Sequence, residues 1–120
     1  AGAGGLVRLP RQIPRRVAME LAITGEFISA QRAYELGLIN RIVPAGQSLA
    51  AAQALARTIA ANGPLAVKAS KQVIHQSQDW SQAETFARQQ PFIETVFGSK
   101  DSIEGAKAFA EKRAPQWKGR

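Results

Sequence analysis

Apolar positions along the chain recur mainly at helical spacing. Val17, Ala18, Leu21 and Ala22 follow Pro14, which stands where a first-turn proline would. Gly25 closes that helix. Ser29 is placed to cap a helix over 30–36, with Gly37 as its stop. Residues 38–43, Leu-Ile-Asn-Arg-Ile-Val, are rich in branched side chains and end at Pro44, predicting a short strand or extended link. Gly46 and Ser48 introduce an alanine-rich helix to Ala61, with Leu49, Ala52, Ala56, Ile59 and Ala60 as its apolar stripe. Asn62-Gly63-Pro64 is a stop, a turn and a restart. A helix over 64–76 then carries Leu65, Ala69 and Val73 on one side.

The pattern over 82–97 is helical again, with Phe86, Ile93 and Phe97 on one stripe. Pro91 lies inside it, which predicts a kink or break near 87–90, because proline lacks the N–H and its ring meets the carbonyl of Ala87. After Gly98, either Ser99 or Asp101 caps a last helix reaching about Arg113. Asp101 and Glu104 have capping-box spacing. Residues 114–120 read as an extended tail. The chain is therefore mostly α. Its apolar faces are built largely from alanine, and one core within 120 residues would be thin. Much of the apolar surface is expected to pack on something outside this chain.

Composition narrows the chemistry. Apolar residues make up 45% and charged residues 21%, the balance of a folded domain. There is no cysteine, so disulfides, thiolate metal sites and cysteine nucleophiles are excluded. One histidine, His75, offers no cluster for a metal, and its place near a helix end suits a solvated side chain. No stretch approaches the roughly 18 consecutive apolar residues of a membrane span. The start at Ala1, without Met and inside a Gly-rich turn, reads as a fragment or processed product. No targeting signal is visible, and a cytoplasmic protein is expected.

The net charge of +7 sits at the two ends. Arg8, Arg11, Arg15 and Arg16 have no acid among the first 16 residues. Lys107, Lys112, Arg113, Lys118 and Arg120 face only Glu111 in the last 16. Such ends suit an anionic partner, either nucleic acid or a phosphorylated small molecule, and equally a solvated surface. No helix carries bases at base-reading spacing, and the aromatics are not interleaved with the basic clusters, which disfavours nucleic acid.

Gly2-Ala3-Gly4-Gly5 before a helix can offer free backbone N–H groups to an anion or simply allow a tight turn. It lacks the full phosphate-loop and dinucleotide patterns. Glu20, Glu26 and Glu35 form no acid–base pair by spacing. Phe109 and Lys112, three apart, would share a helix face, which suits a stacked base beside a phosphate. A core phenylalanine with ordinary surface lysines is the other reading.

Five blocks in order resemble the C-terminal part of the crotonase superfamily, the enoyl-CoA hydratase/isomerase family. Residues 2–10, Gly-Ala-Gly-Gly-Leu-Val-Arg-Leu-Pro, are similar to its Gly-Ala-Gly-Gly-x-x-Arg-Leu segment. Ala18-Met19-Glu20-Leu21 with Thr24-Gly25-Glu26, and then residues 29–40, resemble the blocks that follow it. Asn62-Gly63-Pro64-Leu65-Ala66 and Glu104-Gly105 with Ala108-Phe109 and Glu111-Lys112-Arg113 complete the series. Ala1 stands where the family usually has proline.

The resemblance implies an α/β fold, a spiral of ββα turns followed by a helical trimerisation region. Residues 1–45 would end the spiral core, and residues 46–120 would form the helical oligomerisation region. It implies acyl-CoA or enoyl-CoA thioesters as ligands, with hydration of a 2-enoyl-CoA as the parent reaction. No cofactor is required, since coenzyme A is part of the substrate. No metal, nucleic acid or membrane partner is implied. The partners are the N-terminal part of the same fold and further copies, as a homotrimer or a hexamer. By resemblance, the backbone N–H of Gly2 serves the catalytic water. Phe109 and Lys112 approach the adenine and the 3′-phosphate of coenzyme A, commonly in a neighbouring subunit. The family's two glutamates and its oxyanion-hole segments would precede Ala1, so the 120-residue chain alone is expected to be inactive. The alternatives are a non-catalytic helical assembly module and a family isomerase or hydrolase.

Overall fold

The computed structural model describes residues 2–120, so the proline-to-alanine departure at Ala1 lies outside the described residues. The chain divides into two compact units, residues 1–49 and 50–120. The first holds α1 (Gly5–Arg8), a 3-10 turn (Leu9–Arg11), α2 (Arg15–Thr24) and α3 (Ala30–Glu35). Pro14 is the N-cap of α2 rather than its first helical residue, and Gly25 ends that helix at φ 70°. Ser29 caps α3 by accepting the Arg32 N–H. The buried apolar side chains of this unit are Ile13, Ala18 and Ala33.

The strand expected over 38–43 is not formed. Branched side chains favour extended backbone, but a strand exists only through a ladder to a second one. Among the described residues there is none, and residues 41–44 remain irregular.

Helix α4 (Ser48–Ala60) starts at the boundary of the two units, and α5 (Pro64–Gln76), a 3-10 turn (Ser77–Asp79), α6 (Thr85–Phe97) and α7 (Lys100–Ala110) follow. Pro64 opens α5 behind Gly63. Helix α5 packs along α6, and α6 meets α7. Trp80 stacks on Phe92 of α6, with ring centroids 6.5 Å apart.

Of the kink or break expected near 87–90, the break does not occur: α6 runs unbroken from Thr85 to Phe97 with Pro91 inside it. Proline removes only the bond to Ala87. The first turn is held independently: Ser81 donates to Glu84, which pairs with Arg88 at 3.1 Å, and Thr85 bonds the Ser81 carbonyl.

Of the two caps expected for the last helix, Ser99 is the one used, its Oγ accepting the Ser102 N–H, and the helix ends at Ala110 rather than near Arg113. The capping-box reading of Asp101 and Glu104 fails because the tail occupies both carboxylates. Asp101, buried in the first turn, accepts the N–H groups of Lys118 at 2.7 Å and Gly119 at 2.8 Å. The Arg120 carbonyl in turn accepts the N–H groups of Lys100 and Asp101. Trp117 lies across Gly63 and Gly105, and its indole N–H donates to the Ala61 carbonyl at 2.8 Å. A methyl at Gly105 would stand 3.2 Å from that ring.

Much apolar surface remains open. Ile23, Phe27, Leu49, Phe86, Phe97, Ile103 and Phe109 are exposed, and the buried apolar set holds no aromatic.

Two predictions follow from how the tail is held. Asp101→Ala leaves two tail N–H groups without their charged acceptor. It should lower the unfolding free energy of the second unit by about 2–4 kcal/mol. Urea titration followed by tryptophan fluorescence measures it, since Trp80 and Trp117 both lie in that unit. An unchanged midpoint would show that the tail anchor is energetically idle.

The second prediction concerns pH. Arg113 donates to both oxygens of Glu104, at 2.6 and 3.0 Å, and the Gln116 N–H adds a third bond. The side-chain bond from Arg113, then that N–H, hold the Glu104 carboxyl down at about 2 against an ordinary 4.5. A depressed carboxyl favours the folded form above its unfolded value. The contribution is complete above about pH 4.5 and is lost as pH falls toward 2. Between those values the chain should lose more stability than a Glu104→Gln variant, by parallel melts.

Candidate functional site

The described residues hold two clusters singled out by sequence, one in each unit. The first is the Gly-rich turn. Ala3 and Gly4 both have left-handed backbone, at φ 52° and 81°. The Arg8 guanidinium folds back to donate to the Ala3 carbonyl at 2.7 Å. A side chain at Gly4 would meet it at 3.3 Å. The Gly2 carbonyl accepts the Gly5 N–H at 3.2 Å, while the Gly2 N–H has no acceptor among the described residues. Helix α1 is only four residues long, so it supplies no helix-dipole anion site. Next to the turn, a groove of about 670 Å³ is lined by Gly5, Leu6, Leu9, Met19, Leu21 and Ala22.

The second cluster is the C-terminal end of α7. Ala108 is 1% exposed, and the next residue, Phe109, is 88% exposed. Burial of one face thus turns the aromatic ring outward. Because the helix stops at Ala110, Phe109 and Lys112 do not share a helix face as the spacing alone suggests. They are joined by a capping turn instead. The Lys112 N–H donates to the Phe109 carbonyl at 3.2 Å, and the Arg113 N–H reaches back to Ala108 at 3.0 Å. That pair of bonds is a Schellman cap with Lys112 at the left-handed position, φ 53°.

Glycine normally fills that position. The same pair of bonds closes α3, from Gly37 to Tyr34 and from Leu38 to Ala33, and there the left-handed residue is Gly37 at φ 76°. Placing a side chain in this conformation costs about 1–2 kcal/mol. The strain sits on an exposed lysine absent from the ion pairs found among the described residues. Arg113 donates its Nε to Glu111 at 2.6 Å and its two terminal nitrogens to Glu104, so one guanidinium grips both sides of Lys112's turn. Glu104 and Glu111 also raise the Arg113 pKa, so the grip stays charged.

This arrangement can take a flat ring with an anionic group beside it, through an exposed aromatic and an ammonium carried on a held turn. Sequence reasoning found Phe109 and Lys112 but missed Glu104 and Arg113 as the supporting pair, and Trp117 as the tail's anchor. Two small residues, Gly63 and Gly105, were the available sign of a large ring packed close to backbone.

Elsewhere the candidates stay apart. Exposed Glu20, Glu26 and Glu35 form no carboxylate pair; Glu35 accepts from Gln31 and pairs with Arg32. His75 is exposed at the end of α5. Among the described residues there is no metal-binding cluster, and no helix is long and apolar enough to cross a membrane.

Residues 1–120 match the family described as enoyl-CoA hydratase/isomerase. The chain is 46% identical over 117 residues to an enoyl-CoA hydratase of Mycobacterium tuberculosis, covering 98% of this chain and 44% of that protein. It is 38% identical over 122 residues to the carnitinyl-CoA dehydratase of Proteus mirabilis, covering 98% and 47%. Among solved structures, an enoyl-CoA hydratase from Mycobacterium tuberculosis superimposes with a TM-score of 0.97 at 53% identity, covering 99% of this chain and 47% of that one. A probable enoyl-CoA hydratase/isomerase from Mycobacterium abscessus gives 0.95 at 56% identity, covering 100% and 48%. The chain thus spans a little under half the length of these relatives. Matched from end to end in sequence and superimposed on solved members of that group, it belongs to the enoyl-CoA hydratase/isomerase family, the crotonase superfamily.

Proposed function

We propose that the chain forms the helical, nucleotide-binding part of an enoyl-CoA hydratase-like enzyme that acts on acyl-CoA thioesters, with hydration of a 2-enoyl-CoA as its reaction. Phe109 stacks on the adenine, and Lys112 meets the 3′-phosphate. Coenzyme A enters as part of the substrate, and no separate cofactor takes part. The observation that carries this reading is Lys112 itself, a cation kept on a left-handed turn where glycine costs less, beside a ring that is 88% exposed. Backbone strain held at an exposed charge is a mark of function.

Binding at this end is remote from the thioester. Its contribution is to hold the nucleotide while the acyl end reacts, so that binding energy is spent on orientation. At the other cluster, the Gly2 N–H serves the catalytic water. The chain assembles as a homotrimer or a hexamer through its helices, which the exposed Phe86, Phe97 and Ile103 support.

In the intact protein, Phe109→Ala should weaken coenzyme A binding about tenfold through lost stacking. Lys112→Ala should weaken coenzyme A but leave 3′-dephospho-CoA unchanged, as read by calorimetry with both ligands. Equal responses of the two ligands to Lys112→Ala would remove the phosphate assignment.

Catalysis needs groups beyond these. Glu20, Glu26 and Glu35 are exposed and form no carboxylate pair with one another, and none stands at a position of the family's two glutamates. The 120-residue chain by itself should not hydrate crotonyl-CoA above a heat-killed control, measured by loss of enoyl absorbance. Turnover by that chain would overturn this expectation.

A further inference from the structure

We propose that Glu104 is a positioning residue for the nucleotide site: acting through Arg113, it holds Lys112 in its left-handed turn and so fixes the backbone from which the ammonium reaches out. The inference rests on the reading of Lys112 as the phosphate contact.

The physical argument starts from the conformation. A lysine at φ 53° relaxes to the right-handed or extended regions unless its neighbours prevent it. Two backbone bonds of the cap oppose that relaxation, but a helix end in water frays. The guanidinium of Arg113 adds what the cap lacks. Its Nη1 and Nη2 take both oxygens of Glu104, nearly two turns back on α7. Its Nε takes the carboxylate of Glu111. Residues 111 and 113, on either side of Lys112, are therefore tied to each other, and through Glu104 to the helix body. The Gln116 N–H also donates to Glu104, so the chain leaving the turn is held by the same carboxylate.

Arg113 and Glu104 stand partly in water, with side chains 35% and 22% exposed. The geometry of the pair is bidentate, which fixes direction as well as distance. A lysine on a held turn loses less backbone freedom when a phosphate arrives than one on a frayed end.

The experiment uses the intact protein, titrated calorimetrically with coenzyme A and with 3′-dephospho-CoA. Glu104→Gln keeps the shape and removes the charge. It should raise the coenzyme A dissociation constant about three- to tenfold and leave 3′-dephospho-CoA unchanged. Arg113→Lys cannot span both carboxylates as a fork and should behave likewise. In a Lys112→Ala background, Glu104→Gln should cause no further loss, because the residue it positions is gone.

Equal weakening of both ligands, additive loss in the Lys112→Ala background, or no loss from either Glu104→Gln or Arg113→Lys overturns the proposal. The two readings fail differently. If Lys112→Ala fails to distinguish the two ligands, the phosphate assignment falls and takes this inference with it. If Lys112→Ala distinguishes them and neither clamp variant does, the positioning role alone is wrong.

Discussion

The carboxylate of Asp101 organises the second unit. It stands in the first turn of α7, buried, and takes two backbone N–H groups from the far end of the chain. A buried carboxylate is tolerable only when its oxygens are satisfied, and the tail satisfies them. The tail's own Arg120 carbonyl is satisfied by the N–H groups of Lys100 and Asp101, which an unextended helix start leaves open. The exchange is reciprocal. Each partner supplies what the other would otherwise leave unmet, and residues 118–120 have no reason to lie there without Asp101.

Further contacts depend on that docking. With the tail in place, Trp117 reaches across Gly63 and Gly105 to the Ala61 carbonyl, joining the turn between α4 and α5 to α7. Gln116 reaches Glu104, and Arg113 closes the turn at Lys112. A unit whose buried positions are Ser99, Asp101 and Ala108 has little apolar core to rely on. Directional polar bonds therefore add to its order, and they converge on α7, which carries Phe109 and ends just before Lys112. Anchor and site lie at opposite ends of the same 11-residue helix, Lys100–Ala110.

Local signals were read well where the deciding physics was local. Ser29, Gly25 and Gly37 marked helix ends because capping and left-handed backbone involve only neighbouring residues. The helix over Pro64–Gln76 was legible for the same reason. Readings failed where a distant partner decided. Asp101 and Glu104 had the spacing of a capping box, yet the carboxylates went to residues 9 to 18 positions away. Residues 38–43 had strand composition but no strand to pair with among the described residues. At the site, Phe109 and Lys112 were visible through family resemblance. The route joining them was not, because a helix ending at Ala110 replaces a shared face with a turn.

That turn separates what the fold needs from what the site needs. Helices α3 and α7 close with the same two backbone bonds, to Tyr34 and Ala33 in one case and to Phe109 and Ala108 in the other. At the first, the left-handed residue is Gly37, the choice that folding alone would make. At the second it is Lys112, at a disadvantage of about 1–2 kcal/mol against glycine. The two caps differ in their surroundings, since only the second is gripped by Arg113 through Glu111 and Glu104, and only there does the left-handed residue carry an ammonium on a long stem. It stands free of ion pairs among the described residues, beside an exposed ring, with its backbone gripped from both sides by Arg113. Local preference is overruled here, and the proposed phosphate contact would account for it by requiring a cation at this turn.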